Sequence, residues 1–180
     1  MFYGSDTGRN SLTPMSLDTH LLALASQVGQ FLLRSERRLV SAESCTGGFI
    51  AKALTDIPGS SQWFECVYVT YSNAAKARDL GVLQRTLLEH GAVSEAVVRE
   101  MATGALRVAG VDVAIAVTGI AGPDGASAGK PIGAVWFGTG VRRAAQIEVA
   151  AHREQFAGDR HAVRRGSVEY ALKLILNLKL

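Results

Sequence analysis

Asp112-Val-Ala-Ile-Ala-Val117, running directly into Thr118-Gly-Ile-Ala-Gly-Pro-Asp-Gly125, is the stretch that decides the fold. Every position after Asp112 in the first part is apolar, without the alternation of a half-solvated strand. Such a run fits a strand buried on both faces, as in a parallel sheet. The second part is a glycine-rich loop at that strand's carboxyl end. Upstream, Arg38-Leu-Val-Ser-Ala42 and Phe64-Glu-Cys-Val-Tyr-Val-Thr-Tyr71 read as two further strands. Downstream, residues 132–139 and 145–151 read as strands close enough to pair as a hairpin, which makes the sheet mixed.

Helical patterns fill the gaps. Leu21, Leu24, Ala25, Val28, Phe31 and Leu32 share one helix face, with Asp18 as N-cap. Phe49 to Thr55 reads as helical, Asn73 caps a short helix through Asp79, and Val82 to Glu89 forms another. Ser94 caps a longer helix that turns Val97, Val98, Met101, Ala105 and Leu106 inward. Asp159 caps a C-terminal helix with Val163, Ala171, Leu174 and Leu178 on its inner stripe. Strands alternating with helices predict an α/β fold: a mixed, mostly parallel sheet with helices on both faces, a three-layer α/β/α sandwich. Residues 1–16 are polar and aperiodic and are expected to be a mobile tail, with residues 17–180 forming one domain.

Composition narrows the class. With 48% hydrophobic residues in a chain of 180, general disorder is excluded. A chain of this length buries roughly 70% of its unfolded surface and needs no disulfide or metal staple. Two cysteines exclude a disulfide scaffold and point to a reducing, cytoplasmic compartment. No apolar run approaches the ~20 residues of a membrane helix. The first residues lack the pattern of a secretory signal. A net charge of +3 is too mild to argue for nucleic acid. Residues 142–180 hold eight basic side chains against four acidic ones, which suits either a small anion or a solvated helix face.

In sheets of this kind ligands sit at the carboxyl ends of the strands. Three turns gather there: Glu43-Ser-Cys-Thr-Gly-Gly48, Tyr71-Ser-Asn73 and Thr118 to Gly125. Ser44 stands between a strand and a helix start, beside the amides of Cys45 to Gly48. That pattern suits a nucleophile facing an oxyanion, and equally an ordinary N-cap serine before a tight turn. A serine nucleophile needs a base. Of the histidines, His20 and His90 read as surface residues, while His152 and His161 flank the basic cluster and stay open as candidates. Lys76, on the first turn of the helix after strand 64–71, is the alternative base. Burial, a neighbouring cation or the helix's N-terminal potential lowers a lysine from its usual pKa of about 10.4. The plain alternative is an exposed helix lysine.

Cys45 reads either as a thiolate nucleophile or as small packing beneath the loop. Cys66 reads as core. Two cysteines without neighbouring histidines make no zinc site. The 118–125 loop offers backbone amides to shape a pocket but lacks dinucleotide-binding spacing, and Asp124 reads as a turn former.

Taken together, Ala42-Glu-Ser-Cys-Thr-Gly-Gly48, Asp56-Ile-Pro-Gly-Ser-Ser61, Val69-Thr-Tyr-Ser-Asn73 with Lys76, Gly91-Ala-Val-Ser94, Thr118-Gly-Ile-Ala-Gly-Pro-Asp-Gly125 and Gly158-Asp-Arg160 closely resemble the CinA C-terminal domain family. The resemblance covers about residues 18–178. Its enzymatic members are the PncC-like nicotinamide-nucleotide amidases, or NMN deamidases. The resemblance implies hydrolysis of nicotinamide mononucleotide to nicotinate mononucleotide and ammonia in pyridine-nucleotide salvage. It implies no metal or cofactor, a small-molecule substrate, no nucleic acid or membrane partner, and a homo-oligomer. It casts Ser44 as nucleophile and Lys76 as base, with Tyr71 orienting the serine or lining the site. Thr118 would likewise help orient the serine or line the site, Gly119 would bind substrate, Thr46 and Gly47 would supply backbone or hydroxyl hydrogen bonds, and Arg160 would hold the substrate's anionic end. Two competing readings are a regulatory domain that binds pyridine nucleotides without turnover, and a thiol enzyme using Cys45.

Overall fold

The structure, a computed structural model, describes residues 19–144 and 146–180. The expected tail at 1–16, the Asp18 cap and position 145, where the last strand was expected to begin, lie outside the described residues. Among the described residues five strands form one sheet: β1 (Leu39–Glu43), β2 (Phe64–Val69), β3 (Val113–Gly119), β4 (Ala134–Arg143) and β5 (Gln146–Gln155). Their order is β2-β1-β3-β4-β5. β1 pairs in parallel with both β2 and β3, whereas β3, β4 and β5 pair antiparallel. The sheet is therefore mixed, with β4 alone running against the other four.

Among the described residues six α-helices cover it: α1 (Thr19–Arg34), α2 (Phe49–Thr55), α3 (Asn73–Leu80), α4 (Gln84–His90), α5 (Glu95–Ala109) and α6 (Arg160–Leu176). Alternate side chains of a strand face opposite ways, and the two cores follow that alternation. Leu39, Val113, Ile115, Val117, Val135 and Phe137 pack under α1, α2 and α6. Val40, Ala42, Ala114 and Ala116 pack under α5, against Val98, Met101, Ala105 and Leu106. This is the predicted three-layer sandwich, and β3 is buried on both faces because it lies at the centre of the sheet. Truncating Ile115, which is fully buried, costs about 2–5 kcal/mol at such a site.

The α5 face is built for close approach. A Cβ at Gly138 of β4 would lie 2.7 Å from the Val98 carbonyl oxygen, and one at Gly140 would lie 2.8 Å from the Leu106 side chain. Both α5 and α6 are capped as the sequence predicts. Ser94 Oγ accepts from the Val97 N–H at 3.3 Å, and Asp159 Oδ1 accepts from the Ala162 N–H at 2.8 Å. Such caps contribute about 1 kcal/mol each.

Several local expectations shift: β2 stops at Val69 rather than Tyr71, α4 starts at Gln84 rather than Val82, and Leu178 lies past the end of α6 rather than on its inner stripe. Ser72, not Asn73, caps α3: its Oγ accepts from the Ala75 N–H at 3.1 Å, and Asn73 becomes the first helical residue. β4 starts at Ala134 rather than Ile132, because Gly133 takes a left-handed φ of 86° with the Phe156 carbonyl packed where a Cβ would be. Cys66 is half-buried rather than core, since β2 is an edge strand with a neighbour on one side alone.

Candidate active site

After Glu43 the chain turns sharply through Ser44 to Gly48 before α2 begins. Gly47 and Gly48 make the turn possible with φ values of 59° and 90°, which a side chain would disfavour. The Ser44 backbone is held at both ends. Its N–H donates to the Val117 carbonyl at 2.9 Å, and its carbonyl accepts from the Gly47 N–H at 3.0 Å.

Across the strand ends, the Thr70 N–H donates to the Glu43 carbonyl at 2.9 Å. α3 then starts at Asn73 and carries Lys76 in its first turn. Lys76 is 1% exposed, an unusual place for an amine. Its Nζ lies 3.0 Å from Ser44 Oγ and donates to the Thr70 carbonyl at 2.7 Å. Burial, which penalises the charged form, lowers the pKa of Lys76 from 10.5 to about 8. With the amine neutral, the Ser44 hydroxyl donates to Nζ, while an amine N–H still donates to Thr70. Burial rather than the helix terminus is the main cause of the lowering.

Ser44 and Lys76 line a cleft of about 260 Å³ at the carboxyl ends of β1, β2 and β3, together with Cys45, Tyr71, Thr118, Gly119 and Arg160. The three turns singled out in the sequence thus meet there. Thr118 is buried, and its Oγ1 donates to the Ala92 carbonyl at 2.9 Å, pinning Ala92, which with Val93 lines one wall. A Cβ at Gly119 would lie 2.7 Å from the Val135 side chain, so β4 leaves no room for one. Tyr71 is 60% exposed at the cleft mouth. Its hydroxyl accepts from Arg160 Nη2 at 2.8 Å, and Arg160 Nη1 donates to the Gly122 carbonyl at 2.9 Å. No hydrogen bond among the described residues joins Tyr71 to Ser44 or Lys76, so the geometry puts it with Arg160 at the mouth.

Thr46 and Gly47 are placed differently from the expectation. Neither lines the cleft. The Thr46 carbonyl accepts from Arg164 Nη2 at 2.7 Å, and a Cβ at Gly47 would face the same guanidinium at 3.6 Å. Thr46 Oγ1 is buried without a partner among the described residues. Of the four amides the sequence offered to an oxyanion, Gly47 is spent on Ser44 and Gly48 on Glu43. Cys45 is the remaining one on a residue that lines the cleft. Its thiol is pushed up to about 12, mainly by burial, so it stays protonated and packs beneath the loop. None of the four histidines lines the cleft. Among the described residues no helix is long and apolar enough to cross a membrane, and no cluster of three or more His, Cys, Asp or Glu is set to hold a metal.

The CinA C-terminal domain family matches residues 21–179. This chain belongs to that family. The nicotinamide-nucleotide amidohydrolase PncC of Escherichia coli (strain K12) is 53% identical to this CinA domain over 158 residues, covering 88% of this chain and 94% of the relative. The protein of the same name from Pseudomonas putida is 49% identical over 160 residues, covering 88% and 96%. Among solved structures, the competence/damage inducible protein CihA from Agrobacterium tumefaciens superposes with a TM-score of 0.83 at 40% identity, covering 88% of this chain and 96% of that one.

Two residues of the CinA domain's site escaped the sequence reading. Glu43 is fully buried, and its carboxylate accepts from the Gly48, Ile50 and Ala51 amides at 2.8–3.1 Å. A carboxylate at a helix start is a known capping signal, but here it comes from the preceding strand. Arg164 holds the Thr46 carbonyl from α6. Its spacing of one helical turn from Arg160 was the available signal, since residues four apart share a face.

Proposed function

We propose that this CinA domain deamidates nicotinamide mononucleotide to nicotinate mononucleotide and ammonia through a Ser44–Lys76 dyad. The observation that carries the mechanism is the buried amine of Lys76, 3.0 Å from the Ser44 hydroxyl at the cleft floor. The relatives of about half identical sequence named nicotinamide-nucleotide amidohydrolases support the substrate.

Neutral Lys76 takes the Ser44 proton as Oγ attacks the carboxamide carbon. The carbonyl oxygen becomes an oxyanion, for which the Cys45 N–H is the donor nearest the nucleophile in sequence. Lys76, now an ammonium, gives its proton to the amide nitrogen, the C–N bond breaks and ammonia leaves. An ester joins the nicotinoyl carbon to Ser44. A water molecule then attacks that ester with Lys76 as base, the proton returns to Ser44 Oγ, and the carboxylate product departs. Arg160, first residue of α6 at the cleft mouth, meets the substrate phosphate in this reading. Thr118 and Gly119 shape the wall, and Tyr71 steadies Arg160. The domain spans residues 17–180, works in the cytoplasm with both cysteines reduced, and self-associates; the open edge of β2 is a surface suited to that.

Purified protein incubated with nicotinamide mononucleotide is expected to release ammonia in equal amount to nicotinate mononucleotide, and Ser44→Ala to release none. Binding without product in the wild type would point instead to a nucleotide-sensing domain, and undiminished turnover by Ser44→Ala would remove the dyad.

A further inference from the structure

Glu43 directly precedes the proposed nucleophile, and all three of its oxygens accept hydrogen bonds. Oε2 accepts from the Gly48 N–H at 2.9 Å and the Ile50 N–H at 3.1 Å. Oε1 accepts from the Ala51 N–H at 2.8 Å and the Ser41 hydroxyl at 3.3 Å. Its main-chain carbonyl accepts from the Thr70 N–H at 2.9 Å, and the Thr70 carbonyl in turn takes Lys76 Nζ at 2.7 Å. One residue therefore grips both halves of the dyad. Its side chain holds the far end of the Ser44 turn, and its backbone holds the peptide that orients the amine.

Capping alone does not explain the arrangement. α5 and α6 are capped cheaply by Ser94 and Asp159 at their own N-cap positions. α2 has Gly48 there, with no side chain to offer, and its donors are satisfied from five residues upstream. Burying a carboxylate is costly unless it is fully hydrogen-bonded, as this one is. What the strand-borne carboxylate achieves, and a local cap does not, is to bridge the two ends of the turn that carries Ser44.

We infer that Glu43 is a positioning residue for the amidase reaction: its carboxylate fixes the Ser44–Gly48 turn so that Ser44 Oγ stays within reach of Lys76 Nζ. The inference rests on the Ser44–Lys76 reading and extends it. Glu43 lines no part of the cleft, and the substrate-facing groups at Arg160, Thr118, Gly119 and Ala92 sit on other elements. Its loss acts on kcat and leaves binding in place.

Glu43→Gln tests this with a side chain of the same size. Each carboxylate oxygen takes at least one peptide N–H, so the new NH2 group must oppose a donor wherever it points. Misplacing reacting atoms by about an ångström costs on the order of 10²-fold, which is the expected fall in kcat for Glu43→Gln. KM for nicotinamide mononucleotide and the calorimetric Kd for nicotinate mononucleotide stay within about threefold, since uniform binding is untouched. Labelling of Ser44 by a fluorophosphonate probe slows by the same factor as kcat. A kcat within twofold of wild type overturns the inference, and so does a change confined to KM. Should Glu43→Gln fail to fold, Ser41→Ala decides, because it keeps the carboxylate and removes only its longest contact. A fall of about threefold in its kcat at constant KM supports the role, and an unchanged kcat removes it. If the wild type releases no ammonia, the amidase reading fails by itself, and the ratio of probe labelling between wild type and Glu43→Gln still tests the positioning role.

Discussion

The two loops that frame the cleft are built on opposite plans. Residues 41–46 are all buried, and the turn they lead into is gripped by Glu43 from the strand and Arg164 from α6. Residues 123–129, on the facing side, are all exposed. That loop is tied at its ends, by Gly122 to Arg160 and by Lys130 to the His90 carbonyl. The difference teaches a division of labour. On the proposed reading, the side given the bond chemistry is held to hydrogen-bond tolerance, and the side given to substrate binding is left exposed with a few anchors.

The largest effects are expected at the dyad. Removing one member of a nucleophile–base unit costs on the order of 10⁴-fold or more in kcat, and Ser44→Ala and Lys76→Met are both expected in that range. Their double variant is expected to be no worse than either, measured by ammonia release, because the two groups act as a unit. The pH profile comes next. Lys76 must be neutral to act and its pKa is lowered to about 8, so log kcat/KM rises with unit slope below about pH 8 and levels above it. At pH 6 the rate is expected to be about 10²-fold below the plateau. A flat profile between pH 6 and 9 would contradict the role of the amine.

The facing side sharpens the contrast through binding. Arg160→Ala is expected to raise KM about 10- to 100-fold with kcat nearly unchanged, as befits loss of a charged hydrogen bond present in ground and transition states alike. Cys45→Ala is expected to change kcat by less than about fivefold, since a buried protonated thiol contributes packing and the backbone N–H remains. Loss of activity to a thiol alkylator in the wild type, together with a dead Cys45→Ala, would reinstate the thiol reading. Lys130→Ala is the smallest expected effect. It removes one exposed tie of the open loop and shifts stability by about 0.5–1 kcal/mol in thermal unfolding, with KM moving more than kcat.

Much of this was readable in the chain because the signals are local. The apolar run of β3 announces its own burial, and Ser94 and Asp159 announce the helices they cap. The convergence of three strand-end turns followed from the topology alone. What was hidden depends on contacts distant in sequence or on the order of strands. Lys76 was nameable as a candidate base, but its burial, which separates it from an ordinary surface lysine, comes from Ser44 and Thr70 closing over it. Tyr71 and Arg160 are 89 positions apart, and nothing in either neighbourhood points to the other. Cys66 has the neighbours of a core residue, but its exposure is set by β2 lying at the edge of the sheet. Glu43 was invisible as a cap because the usual rule inspects the residue next to the helix, whereas this carboxylate reaches across the turn.

The bare backbone of β4 at Gly138 reaches further than its own strand. By admitting the first turn of α5 so closely, it sets where that helix begins, and the Ala92–Val93 wall stands just before that beginning. The aperture available to a ligand is thereby governed from beneath the sheet, by an atom that is missing. A single methyl group introduced there would have to push the first turn of α5 away from the sheet, and the wall that leads into that helix with it.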